Sequence, residues 1–227
     1  MLAERRVASE LMDDPALGAE TYHAVLADLA KVNRVTFAYR PTLSFLGRAL
    51  RHKTSFKLLD VGFGDGDMLR AIAKWARKRG IEARLVGVDL NPRSVAAAKE
   101  VTDDPNIDYR TGDYADLAGE GWDCVISSLV AHHMSEAELR QFVRFMESEA
   151  RAGWFVNDLH RHGFAYTAWP ILSGLMRWHR IVRTDGHTSI ARSFRPREWQ
   201  ALLGEEGITA AKVRRYFPFR LCVERLR

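Results

Sequence analysis

Cysteine is scarce: the 227 residues hold two, Cys124 and Cys222, each inside an apolar run. That excludes a disulfide framework and a cysteine-based zinc site, and both are expected to be small core residues. Long hydrophobic runs are missing as well. No stretch reaches the roughly 18 apolar residues of a membrane span, and Met1-Leu2-Ala3-Glu4-Arg5-Arg6 leads into charge rather than a signal-peptide core. A cytoplasmic protein without a membrane span is expected. Internal repeats and low-complexity segments are lacking. With 47% apolar and 28% charged residues, seven prolines and sixteen glycines, the composition is that of a globular chain able to bury a core.

The length exceeds the roughly 100 to 200 residues of one average domain without reaching two, so one domain with an accessory element is expected. The net charge of +5 is uneven. Residues 177–227 hold 12 Lys and Arg against 5 Asp and Glu, leaving the first 176 slightly acidic. A basic quarter of this kind attracts nucleic acid, an acidic carrier or an anionic small substrate, or is simply a solvated surface.

Tyr22, Val25, Leu26, Leu29 and Val32 recur at helical spacing, and Leu43, Leu46 and Leu50 continue the pattern beyond Pro41. Residues 1–55 therefore read as a helical prefix. From residue 56 the texture changes to short apolar runs at 56–61, 84–89, 107–110, 122–127 and 153–158. Helical segments near 66–80, 92–101 and 135–150 separate them. Such alternation predicts an α/β fold, a parallel sheet covered on both faces, with ligands bound beyond the carboxyl ends of its strands. Residues 160–192, rich in aromatics and histidine, interrupt the alternation as an inserted helical cap. A helix over 195–203, opened by Pro196, and two closing strands at 208–216 and 219–226 around Pro218 complete the pattern, the last pair antiparallel.

The run Leu58-Leu59-Asp60-Val61-Gly62-Phe63-Gly64-Asp65-Gly66 is a strand that ends in three alternating glycines and enters a helix. Its G-x-G-x-G spacing differs from the G-x-G-x-x-G of dinucleotide binders, and Asp60 repels a pyrophosphate but suits an ammonium. Asp89, at the end of the next strand and 23 residues beyond Gly66, is placed to accept both hydroxyls of a ribose. After the third strand, Gly112-Asp113-Tyr114 offers a carboxylate to an adenine amino group. A cationic amino acid, a ribose and an adenine are thus provided for in order.

These motifs, with the 122–133 run, resemble the class I S-adenosylmethionine-dependent methyltransferases, in particular the ubiquinone/menaquinone-type and phenolic small-molecule enzymes. The resemblance covers residues 56–158. It implies a doubly wound, mostly parallel seven-stranded Rossmann-like sheet with an antiparallel last strand, N-terminal helices and a cap after strand 5. Residues 56–227 form the cofactor-binding domain on this reading. It assigns S-adenosylmethionine to Asp60, Gly62, Gly64, Gly66, Asp89, Leu90, Gly112, Asp113, Tyr114 and Ser128.

The same resemblance puts one or two histidines after the fourth strand, near the transferred methyl. His132 matches the general-base histidine of many phenolic O-methyltransferases; His133 stands where those enzymes usually carry an acid. If the segment starts a helix, the two rings diverge by about 100°. After the fifth strand, Asp158, His160, Arg161 and His162 border the expected acceptor space, with Asp158 free to pair with Arg161. Tyr166 and Trp169 in the cap, with Phe164 and Trp178, are expected to wall an acceptor or to pack, and His187 is read in a turn. The substrate-binding candidates are His160, Tyr166, Trp169 and His187. No carboxylate cluster in the sequence signals a metal.

The expectation is a methyltransferase acting on a small molecule of secondary metabolism, by O-methylation of a phenolic or polyketide-like acceptor. C-methylation of a quinol-like ring is the close alternative. Nucleic-acid methylation rests only on the basic quarter and lacks an Asn-Pro-Pro-Tyr-type motif or an appended domain. A non-catalytic nucleoside-binding module is the alternative outside enzymes. Oligomeric state is not legible.

Overall fold

The computed structural model describes residues 2–102 and 104–227. Helices α1 (Ala19–Val35) and α2 (Tyr39–Ala49) come first. Then β1 (Ser55–Val61), α3 (Asp67–Lys78), β2 (Glu82–Asp89), α4 (Arg93–Val101) and β3 (Ile107–Thr111) alternate. The chain continues through β4 (Cys124–Ser128), α5 (Glu136–Glu149) and β5 (Gly153–Leu159). Next follow α6 (Gly163–Leu175), α7 (Arg180–Arg192) and α8 (Pro196–Glu205), and it closes with β6 (Lys212–Tyr216) and β7 (Arg220–Leu226).

The seven strands form one sheet in the order β3-β2-β1-β4-β5-β7-β6. β1 to β5 pair in parallel, and β7 runs antiparallel to both β5 and β6. The first three strands step outward in one direction and β4 starts on the other side of β1. This reversal opens a crevice at the carboxyl ends of β1 and β4.

Both sheet faces are covered, which explains why the central strands read as apolar runs rather than alternating ones. On one face α2 and α3 bring Phe45, Leu46, Leu69 and Ile72 onto Leu58, Leu85 and Phe155, and the Phe45 and Phe155 rings stack at 5.0 Å. On the other, Phe142 and Met146 of α5 and Trp199 of α8 pack with Trp122, Val125 and Trp154. α5 starts where Ser135 and Glu138 make a reciprocal capping box. Both cysteines are buried and unpaired, as their apolar flanks imply.

Two boundaries depart from the sequence reading. The first closing strand begins at Lys212 rather than 208. Gly207 at φ +71° ends α8, and Ile208 turns back to bond Leu203 and bury its side chain. The prefix is helical only from Ala19; before that lies extended chain with one short turn at Leu11–Asp13. The cap is helical as expected, formed by α6 and α7, and Trp178, Ile181 and Val182 pack on Val25 and Val32 of α1. No described helix is long and apolar enough to cross a membrane.

Candidate active site

The glycine loop turns sharply at the end of β1. Gly62 lies at φ +76°, and a Cβ there would stand 2.2 Å from a Val130 methyl. Gly66, also at φ +76°, caps α3 directly against the Tyr109 ring, where a Cβ would stand 2.6 Å from the hydroxyl. No other residue fits both the left-handed backbone and the space.

Asp60 ends up beneath this loop, 1% exposed, and its Oδ1 has no hydrogen-bond partner among the described residues. Burial first, then Asp67 and Asp89, raise its carboxyl well above the usual range. A buried, unpaired acceptor of this kind calls for a cationic or donor group of a ligand. Asp89 accepts from the Gly64 amide at 3.0 Å and the Asn91 amide at 2.9 Å. Burial raises its carboxyl too, against those two bonds.

Leu90 is exposed at the rim, and Gly112, Asp113 and Tyr114 follow β3. Asp113 also caps a short turn through the Ala115 amide at 2.9 Å. The Tyr114 ring is held edge-on by Phe142 and Phe145, each 4.9 Å away. The Ser128 hydroxyl is buried without a partner among the described residues. Nine of the ten residues assigned to the cofactor from sequence border one cavity of about 940 Å³; Gly66 does not, since it packs against Tyr109 at the start of α3. The donors present fit S-adenosylmethionine: an orphaned carboxylate for its amine, a carboxylate at the ribose position and a loop with room for close approach.

The cavity continues from Ser128 past His132 and His133 to His160, Phe164, Trp169 and Leu172. His132 is 2% exposed; its Nδ1 meets Asp158 Oδ1 at 2.7 Å, and its backbone amide donates to Asp158 Oδ2 at 2.9 Å. Burial works against its charge, but Asp158 and Glu10 prevail and push the imidazole up to about 9. Of the two roles open to Asp158, the pair with Arg161 does not form. Arg161 instead pairs with Glu198 and donates to the Ser193 carbonyl, because its side chain runs under α8.

Nor do the two histidine rings diverge. Their centroids are 4.3 Å apart in a tight turn, and both face Glu10. His160 borders the cavity as expected, and burial, with Arg215, His162, Arg195 and Arg161 nearby, pulls it down to about 4. Trp169 stacks on Trp178 at 5.5 Å and walls the cavity.

Tyr166 and His187 do not line the cavity; they stack on each other at 3.7 Å on another face of the cap. His187 sits inside α7 rather than in a turn, since Gly186 is accommodated mid-helix against the Trp169 indole.

Sequence reasoning missed Glu10, Asp13 and Arg220, all of which border the cavity. Glu10 arrives from the extended N-terminal segment, which Asp185 of α7 fixes by accepting the Leu11 and Met12 amides at 2.9 Å each. Arg5 ties the same segment down by donating to the His132, Met134 and Arg192 carbonyls. Arg220 is 2% exposed and donates to Asn33 at 3.2 Å. No local motif surrounds these residues; only the fold brings them together.

Residues 58–153 match the family model for a methyltransferase domain. A probable fatty acid methyltransferase of Mycobacterium tuberculosis is 28% identical over 153 residues, 65% of this chain and 30% of that protein, so the chain spans under a third of this curated relative. Among solved structures, magnesium protoporphyrin IX methyltransferase from Synechocystis PCC 6803 with bound S-adenosylhomocysteine superposes with a TM-score of 0.59. It is 18% identical, with 87% of this chain and 86% of that one covered. The plantazolicin methyltransferase BpumL, in complex with a monoazolic desmethylPZN analogue and S-adenosylhomocysteine, gives 0.63 at 14% identity, covering 92% and 96%. Over residues 58–153 the chain thus resembles a methyltransferase domain, and it shares the fold of these solved methyltransferases.

Proposed function

We propose that this chain transfers a methyl group from S-adenosylmethionine to an oxygen of a small phenolic or polyketide-like acceptor. One observation carries the reading. A single cavity joins the Asp60–Asp89 cofactor end to walls built by Val25, Leu29, Trp169, Leu172, Val182 and Ile190 of α1, α6 and α7. Its volume of about 940 Å³ is at the upper end of the roughly 300 to 1,000 Å³ of small-molecule sites, which suits a cofactor together with an acceptor. The enclosure by α1, α6 and α7 favours a small molecule over a duplex or a folded partner.

The cofactor supplies an electrophilic methyl. The residues of this chain do the rest: Asp60 and Asp89 hold the cofactor's amine and ribose, the cap excludes water, and the His132–His133 turn addresses the acceptor. C-methylation of a quinol-like ring is a second reading. It is favoured by one observation, that His132 turns both ring nitrogens toward carboxylates and so presents no free base.

The test is incubation of the chain with S-adenosylmethionine and a panel of phenols, quinols, fatty acids and RNA, reading S-adenosylhomocysteine release and locating the methyl by NMR. A methyl ether on a phenol is the expected product. A methyl on carbon would move the reading to the ring alternative, and turnover confined to RNA would overturn it.

A further inference from the structure

Glu10, His132 and His133 stand around one point on the cavity wall, with one ligand atom from each within 4.8 Å of the others. Both imidazoles are oriented in the same way. His132 gives Nδ1 to Asp158 at 2.7 Å and His133 gives Nδ1 to Asp13 at 3.2 Å, while both turn Nε2 to the Glu10 carboxylate at 3.6 Å. Those last distances are too long for good hydrogen bonds. They are close to the roughly 3.4 Å that separates donors on a tetrahedral ion bound at about 2.1 Å.

A carboxylate on the far nitrogen is what orients a metal-binding histidine and fixes its tautomer, and here both histidines have one. Glu10 is buried, and its Oε1 is held by the Ser189 hydroxyl at 2.8 Å, with Arg192 3.6 Å away. Its orientation is therefore set independently of the histidines.

We propose that Glu10, His132 and His133 bind one divalent transition-metal ion of the zinc type. Two imidazoles and a carboxylate suit zinc or its neighbours and leave a coordination position open. That position opens on the cavity, where an ion would hold an oxygen of the acceptor. This consequence rests on the methyl-transfer reading; the metal binding itself does not. The ligand set also accounts for the N-terminal segment, which the sequence pattern leaves without a task and which carries both Glu10 and Asp13 to the histidines.

The test uses the full chain, stripped by chelator and titrated with Co²⁺ and then Zn²⁺, with bound metal counted by elemental analysis and the cobalt spectrum recorded. One ion per chain and a visible cobalt band are expected. Glu10→Gln and His133→Ala are each expected to weaken cobalt binding at least tenfold while retaining the circular dichroism of the parent. Asp13→Asn, which alters the side-chain partner of His133 Nδ1, is expected to lose about 10- to 100-fold. Failure to take up stoichiometric metal, or uptake unchanged in the Glu10 and His133 variants, overturns the proposal. S-adenosylhomocysteine binding, measured in parallel by calorimetry, separates the two readings: its absence sinks methyl transfer and leaves the metal count to speak for the site.

Discussion

The Asp89 carboxylate receives the Gly64 amide at 3.0 Å, which ties the end of β2 to the loop that follows β1. One side chain thus braces the glycine turn and, on the proposed function, holds the ribose. Replacing it removes charge-assisted bonds of about 1.5 to 3 kcal/mol each at most. Asp89→Ala is expected to weaken S-adenosylhomocysteine binding tenfold or more by calorimetry; an unchanged affinity would remove Asp89 from the cofactor site.

Gly62→Ala tests the turn itself. The left-handed backbone costs an L-residue about 1 to 2 kcal/mol, and the new Cβ must displace Val130, 2.2 Å away. At about 2 to 4 °C per kcal/mol for a chain of this size, the midpoint of thermal unfolding should fall by about 2 to 8 °C. Cofactor affinity should fall as well, since the displaced Val130 precedes the His132 turn.

The sheet and the turn of the glycine loop were legible because each depends on residues close in sequence. Strand and helix periods set the alternation, and Gly62 to Gly66 carry their own backbone requirement. What escaped depended on distant segments. The partner of Asp158 is His132 rather than nearby Arg161, because the strand end faces the β4 loop while Arg161 is drawn under α8 toward Glu198. His187 was read in a turn because Asp185-Gly186 imitates turn chemistry; Trp169 packing on Gly186 keeps it helical. Glu10 had no signature at all, since its two histidine neighbours lie more than a hundred residues away.

His160 supplies a pH test. Burial and the surrounding Arg215, Arg195, Arg161 and His162 hold it near 4 in the folded chain, against about 6.5 in an unfolded one. The unfolded chain therefore binds the extra proton first as pH falls, and the native state loses stability between about pH 6.5 and 4. His160→Gln is expected to flatten that part of the stability profile relative to the parent, with little difference above pH 7. Denaturant unfolding at several pH values measures it; parallel profiles would show that His160 is solvated and titrates normally.

The cap makes the last test, because its wall and the cofactor end are chemically separable. Trp169 is held in three ways: its ring stacks on Trp178, its indole N–H donates to the Arg183 carbonyl at 2.9 Å, and its edge fills the notch at Gly186. None of these contacts reaches Asp60 or Asp89. Trp169→Ala opens the cap end of the cavity, and Gly186→Ala pushes the same indole inward, its new Cβ standing 2.3 Å from the ring. Both variants are expected to keep S-adenosylhomocysteine affinity within about threefold, below the 1.4 kcal/mol of a tenfold change. Their effect should fall on the acceptor: KM raised tenfold or more, with Trp169→Ala accepting bulkier phenols and Gly186→Ala favouring smaller ones. If both instead lower cofactor affinity and leave acceptor preference unchanged, α6 and α7 serve to brace the cofactor domain and the acceptor enters elsewhere.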